Sequence, residues 1–378
     1  MKYMGSKRAM LTNGLGDILR GQVTGRQRFV DLFCGAASVS WFAAEELGLP
    51  VLALDLQEYA VVLARSVIGR TAALDAEGVA EEWVDKVEDT RESYGASSEV
   101  AELDSAGLNT ATWRKRAQAL CGSVEDMSLS VLRAYGGHYF SPTQALTIDA
   151  MMACLPKADP HRSVCLAATI VAASKCAASP GHTAQPFKAT RTAGRFLREA
   201  WLRNPITYAR QSLTEICPKY AVKCGEARRG AAVASLQELR PTDLVFIDPP
   251  YSGVHYSRFY HVLETVARGD CGHVAGVGRY PPRSERPASS FSRRGESQEA
   301  LKSLLEGLSS VECTAVFTFP AGECSNGLSG EIVKAEAQKC FKVSSTVVNG
   351  RFSTLGGNNG HRAARQDSRE LILVLSPR

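Results

Sequence analysis

The stretch Asp243-Leu244-Val245-Phe246-Ile247-Asp248-Pro249-Pro250-Tyr251 decides the fold. Its apolar run has no polar alternation, as expected of a strand buried on both faces between helices. It ends on a carboxylate and two prolines, which fix the backbone and donate no hydrogen bonds. Working outward, two more apolar runs share this character. Arg28–Cys34 ends at Cys34-Gly35 and leads into a helix over Ala36–Leu47. Val51–Asp55 follows, then a helix over Glu58–Val67. Strand, helix, strand, helix implies a parallel sheet in an α/β domain.

From about residue 70 the pattern changes. Val79, Trp83 and Val87 lie four apart, which predicts an amphipathic helix over 77–94. Ser141-Pro142 opens a capped helix. Ser163–Cys176 reads as an apolar helix and Arg195–Ser212 as a basic one, with no convincing strand between 70 and 215. The α/β rhythm resumes with a strand at Ala221–Cys224, a helix near Ala231–Leu239 and the opening stretch. A helix over Ser257–Arg268 and a Gly/Pro/Ser/Arg-rich mobile loop at 269–295 come next. Helices at Ser297–Leu308 and Gly330–Phe341 and strands at Thr314–Phe319, Val343–Val348 and Glu370–Leu375 complete the chain. The expected domains are a split α/β unit of residues 1–69 and 211–378, and a mostly helical insertion over 70–210.

The chain has 378 residues, 44% hydrophobic and 22% charged, as in a globular protein. No apolar run spans a bilayer and the N-terminus lacks an apolar core, so we expect neither membrane segment nor signal peptide. Eleven scattered cysteines without a C-x-x-C pair argue against a zinc site and a disulfide framework, and for a reducing cytoplasm. The net charge of +5 permits a nucleic-acid partner. Its distribution says more. Residues 75–104 hold eleven acids against Lys86 and Arg91, and should face away from a polyanion. Lys188, Arg191, Arg195, Arg198, Arg203 and Arg210 are opposed only by Glu199, and this stretch can track phosphates or serve as a solvated helix face.

The chemistry concentrates at strand ends. Behind Asp31-Leu32-Phe33-Cys34-Gly35, the small residues Gly35, Ala36 and Ala37 let a ligand approach the backbone, and the following helix N-terminus attracts a carboxylate. Asp31 can equally be a turn or cap residue. Asp55 ends the next strand, where a carboxylate accepts from sugar hydroxyls. Asp248-Pro249-Pro250-Tyr251 is more specific. An exocyclic amine on a heteroaromatic ring is a poor nucleophile because its lone pair is delocalised. Acceptors on both N–H groups localise that pair. Asp248 can accept one and the Pro249 carbonyl the other, while Tyr251 stacks on the ring. The alternative is a rigid turn with a core tyrosine.

These pieces resemble, in order, the Dam-type family of DNA adenine-N6 methyltransferases on the class I methyltransferase fold. Tyr3-Met4-Gly5-Ser6-Lys7-Arg8 resembles its N-terminal motif, whose aromatic residue and lysine help hold the cofactor. Asp31 to Ser38 resembles the D-x-F-x-G-x-G loop, with Ala37 in place of the last glycine. Asp248 to Tyr251 matches the DPPY motif. The resemblance implies a seven-stranded, mostly parallel sheet with an inserted recognition domain. It implies S-adenosyl-L-methionine as cofactor, held by Tyr3, Lys7, Asp31, Phe33, Gly35, Ala36, Ala37, Ser38, Asp55, Leu56, Glu226 and Asp248. It implies no metal. Double-stranded DNA is the implied partner, with or without a cognate restriction endonuclease, and the assembly a monomer or weak dimer. Asp248, Pro249, Pro250 and Tyr251 would be catalytic. Candidate DNA contacts are His138, Lys188, Arg191, Arg195, His255, Tyr256 and Arg258, since aromatic and basic groups beside a base pocket suit a flipped base. His138 and Tyr139, beside Gly136-Gly137, read equally as a second contact loop or as a connection between helices. Other readings are cytosine N4 or RNA as substrate, a protein glutamine (against which Asp248 counts), or a non-catalytic DNA-binding subunit on the same fold.

Overall fold

The computed structural model describes residues 7–105, 110–352 and 366–378. The chain divides into two compact units.

One unit comprises Met4–Ala72, Lys219–Tyr256 and Pro287–Arg378. It holds a seven-stranded sheet: β1 (Arg28–Asp31), β2 (Val51–Asp55), β3 (Glu226–Arg229), β4 (Asp243–Ile247), β5 (Thr314–Pro320), β6 (Lys342–Phe352) and β7 (Gln366–Ser376). Their order is β3-β2-β1-β4-β5-β7-β6. The first five strands in that order run parallel, and β7 is antiparallel to both β5 and β6. This is the mixed α/β architecture of a class I methyltransferase. Val30, Leu54, Val245, Ile247, Phe317 and Leu373 are among the buried core residues. The chain winds outward from β1 through β2 to β3, then returns to β4 on the other side of β1. Ligands bind at such a reversal, beyond the carboxyl ends of the strands. Asp31 lies opposite Phe246 there, so β1 and β4 deliver Asp31 and Asp248 to the same end of the sheet.

The other unit includes Ala73–Pro218 and Ser257–Arg286. Its boundaries differ from the expected 70 and 210, and it takes in Ser257–Arg286, which sequence reading assigned to the α/β part. Helices fill it. In Ala76–Ser93 the residues Val79, Trp83 and Val87 are buried, and Asp75 caps the start by accepting from the Glu77 N–H. Pro142–Ala153 opens with a capping box between Ser141 and Gln144. A core around Leu103, Trp113, Leu197 and Trp201 joins helices distant in sequence, with the two indoles 4.8 Å apart.

Several expected elements are corrected. Ala221–Cys224 is not a strand, because Ala221 and Val222 give their N–H groups to the Arg70 and Ala44 carbonyls; pairing with β2 begins at Glu226. Ala231–Leu239 forms turns and one 3-10 turn at Leu236–Glu238, being too short a crossover to nucleate a stable helix. Arg195–Ser212 is two helices, Gly194–Trp201 and Pro205–Ile216, since Pro205 cannot donate and Asn204 caps the second. Ser257–Arg268 is broken at Tyr260 into Tyr256–Phe259 and His261–Arg268. Residues 269–295 contain two 3-10 turns and a bridge between Ala275 and Tyr280.

Candidate active site

The catalytic-loop candidates stand where β4 ends. Asp248 is 17% exposed and its Oδ1 receives two donors: Lys7 Nζ at 3.0 Å and Thr318 Oγ1 at 3.0 Å. Among the described residues no hydrogen bond reaches Oδ2. Lys7, 5% exposed, also contacts Glu370 Oε2 at 3.4 Å. Burial works against the Lys7 charge, but Asp248 and Glu370 outweigh it and hold the ammonium protonated far above neutrality. Burial pushes the Asp248 carboxyl up from its ordinary range, opposed by Lys7 and Thr318. Glu370 moves the same way, through burial and then the neighbouring Asp248 charge, with Lys7 opposing. Two carboxylates thus share one cation. The Tyr251 ring packs edge-on to Phe319, centroids 6.4 Å apart, and Lys7 Nζ lies 6.0 Å from its centre. The loop is braced from behind. Buried Asn326 donates to the Pro250 carbonyl at 3.1 Å and the Phe291 carbonyl at 3.0 Å, and the Gly253 N–H donates to Ser325 Oγ at 2.9 Å.

The second cluster follows β1 and β2. Asp31 is buried and accepts from Ser40 Oγ at 2.6 Å and the Phe33 N–H at 3.3 Å; burial pushes its carboxyl up to about 7. Asp55 Oδ2 accepts from the Gly35 N–H at 3.0 Å and Oδ1 from the Gln57 N–H at 2.9 Å. It therefore ties the turn after β1 to the end of β2. Gly35 and Ala37 both have left-handed backbones, at φ 49° and 60°. That turn feeds the helix Ser38–Glu46, whose N-cap residue, Ala37, makes no side-chain capping bond. Phe33 packs edge-on to Phe291 at 5.4 Å. Ala36, Ser38 and Leu56 are half-buried beside these groups. A small-residue turn, an uncapped helix start and a carboxylate on the adjacent strand are the donors and acceptors that an amino-acid nucleoside such as S-adenosylmethionine requires, so the residues fit the cofactor.

Glu226 does not join this cluster. The parallel register pairs it with Leu52, at the amino end of β2, and it is exposed; the strand carries Arg229, not Glu226, to the level of Asp55. Tyr3 lies outside the described residues. His255 and Tyr256 are half-buried in the sheet-containing unit. The other DNA candidates belong to the helical unit. Lys188, Arg191, Arg195 and Arg258 are exposed there, Arg195 over the Phe196 ring and Arg258 over the Tyr280 ring. His138 is half-buried near Gln118, and burial lowers its pKa to about 4. Tyr139 is fully buried, its hydroxyl directed at the Thr183 and Gly278 carbonyls, so this side chain belongs to the core. His261 is likewise buried, with its two ring nitrogens facing the Arg258 and Gly278 carbonyls.

Thr318, Glu370, Asn326 and Ser40 escaped sequence reasoning. For Glu370 a signal existed: a lone acid opening the apolar run Leu371–Leu375. For the others none did. Among the described residues no helix is long and apolar enough to cross a membrane, and no group of three or more His, Cys, Asp or Glu side chains could hold a metal ion. No curated protein matches the chain. A family model described as D12 class N6 adenine-specific DNA methyltransferase matches residues 3–318. With its sheet order and its Asp-Pro-Pro-Tyr loop at the end of β4, the chain belongs to the D12 class of N6 adenine-specific DNA methyltransferases, enzymes that use S-adenosylmethionine to methylate adenine N6 in DNA.

Proposed function

We propose that Asp248 Oδ2 and the Pro249 carbonyl accept the two N–H groups of the target adenine amine, with Tyr251 stacked on the base. The observation that carries this reading is the one-sided loading of Asp248. The nearest contact of Lys7 and the hydrogen bond of Thr318 both fall on Oδ1, and among the described residues no hydrogen bond occupies Oδ2, which is the oxygen assigned to the substrate. Two acceptors pull the nitrogen toward tetrahedral geometry and localise its lone pair, which is catalysis by positioning and electrostatics. When bound, S-adenosylmethionine supplies the electrophilic methyl group. The Gly35–Ser38 turn, the helix start behind it and Asp55 orient that cofactor. As the amine becomes cationic, Asp248 stabilises it and can take its proton.

A paired adenine hides its amine within the duplex, so the base must leave the stack to meet Asp248. His255, Tyr256 and Arg258 are suited to the flipped base or the gap it leaves. Lys188, Arg191, Arg195 and His138 of the helical unit are suited to DNA positioning and to reading a specific sequence. One chain carries every group this reading uses, so a monomer suffices. A DNA substrate and unbridged cysteines support a cytoplasmic setting. The chemistry serves a restriction-modification pair or a solitary modification enzyme alike.

The test is Asp248→Asn. Methyl transfer to duplex DNA should fall by about a thousandfold or more, while DNA and S-adenosylmethionine affinities stay within a few-fold. Turnover at the wild-type rate would overturn the assignment.

A further inference from the structure

We propose that Glu370 is a positioning residue for methyl transfer: it gives the Lys7 ammonium a second carboxylate anchor, so that Lys7 is held at Oδ1 and Oδ2 is left to the substrate amine. This rests on Asp248 being the amine acceptor.

A lysine ammonium is a point charge on a flexible stem with three donors. Facing a single carboxylate, it settles between the two oxygens and neutralises both. That would block Oδ2 and weaken it as an acceptor. Here the ammonium has a second anchor: Glu370 Oε2 at 3.4 Å against Asp248 Oδ1 at 3.0 Å. Lys7 and Glu370 are buried and Asp248 is 17% exposed, so their charges act with reduced screening. Thr318 completes the arrangement on the same oxygen. Strand order explains how. β7 lies against β5, placing Glu370 opposite Pro320, two residues beyond Thr318. Glu370 falls outside the segment 3–318 that the family model matches. Among the described residues the other ionisable groups facing this trio are Tyr256 toward Lys7, Asp31 toward Asp248, and Cys324 toward Glu370.

Glu370→Gln and Glu370→Leu, made in the full chain, separate position from charge. The amide oxygen still accepts from Lys7 but carries no charge; leucine provides no acceptor. In Glu370→Leu we expect kcat to fall by about tenfold or more, the scale on which removing an orienting partner acts, with KM for DNA unchanged. In Glu370→Gln the fall should be smaller. The acid limb of its pH profile for kcat/KM should move to lower pH by roughly half a unit or more, because the Lys7 charge that lowers the Asp248 carboxyl is no longer shared with a second carboxylate. If leucine prevents folding, the glutamine profile decides alone. Wild-type kcat in a folded Glu370→Leu, or an unmoved acid limb in Glu370→Gln, overturns the proposal. Asp248→Asn measured alongside tells the failures apart: full turnover there removes the acceptor reading itself, whereas lost turnover with unaffected Glu370 variants removes only the role of Glu370.

Discussion

Ala37 holds a left-handed backbone at the position where the family loop carries its last glycine. An L-residue in this conformation costs about 1–2 kcal/mol. Glycine would remove that cost but loses about 0.4–1 kcal/mol through a freer unfolded chain. Ala37→Gly should therefore stabilise the protein by roughly 0.5–1 kcal/mol, read as a raised denaturation midpoint; a lowered midpoint would contradict the backbone assignment. Asp31 gives a pH-dependent counterpart. Folded Asp31 keeps its proton up to about pH 7, whereas the ordinary value is 3.8. Its contribution to stability is complete below the ordinary value and is lost as pH rises to about 7. Asp31→Asn can keep both hydrogen bonds if the Ser40 hydroxyl turns to accept. The variant's Tm advantage over wild type should widen from pH 4 to pH 7 and then level off. A gap independent of pH would count against the burial argument.

Single elements explain what could be read in advance and what could not. Strands β1, β2, β4 and β5 were legible because each carries a buried apolar run, with polar residues confined mainly to the strand ends. β3 was not: Glu226-Ala227-Arg228-Arg229 has no apolar pattern, being an edge strand with only Ala227 buried. That error displaced Glu226 as a cofactor ligand. Lys7, Asp31, Asp55 and Asp248 could be picked out because each sits at a motif or a strand end. Thr318 and Asn326 could not, since their partners at Asp248, Pro250 and Phe291 are set by tertiary neighbours; Glu370 left only the trace of an acid opening an apolar run, because β7 inserting between β5 and β6 is not written locally. The helices Ser97–Ser105 and Thr110–Ser123 were also missed, because Leu103 and Trp113 find their apolar partners some ninety residues on, at Leu197 and Trp201. The brace behind the catalytic loop makes a prediction at this level. Asn326→Ala deprives the Pro250 and Phe291 carbonyls of their donor. It should cost about 1–3 kcal/mol of stability and lower kcat more than it raises KM for DNA. Unchanged kcat with lowered stability would limit Asn326 to a packing role.

Charge across the whole molecule is strongly uneven although the net is only +5. In the helical unit Glu81, Glu82, Asp85, Glu88 and Asp89 are exposed on the helix Ala76–Ser93, while Lys188, Arg191, Arg195 and Arg198 are exposed near and along Gly194–Trp201. If Arg191 and Arg195 each neutralise a phosphate, replacing both by alanine should weaken binding to any duplex sequence alike. It should also flatten the slope of log affinity against log salt by about 0.9 per arginine. An unchanged slope would assign the basic stretch to solvent.

The bond between Lys7 and Glu370 joins positions 363 residues apart. A ribosome working at 5–20 residues per second needs roughly 20–70 seconds to make the chain between them. For the last part of that interval, the roughly 6–24 seconds between Tyr251 and Glu370, a nascent polypeptide already owns its Asp-Pro-Pro-Tyr loop and its lysine but not the acid that completes the trio. The same distance sets a vulnerability: one protease cut that releases the final strand removes that acid and leaves every family motif intact.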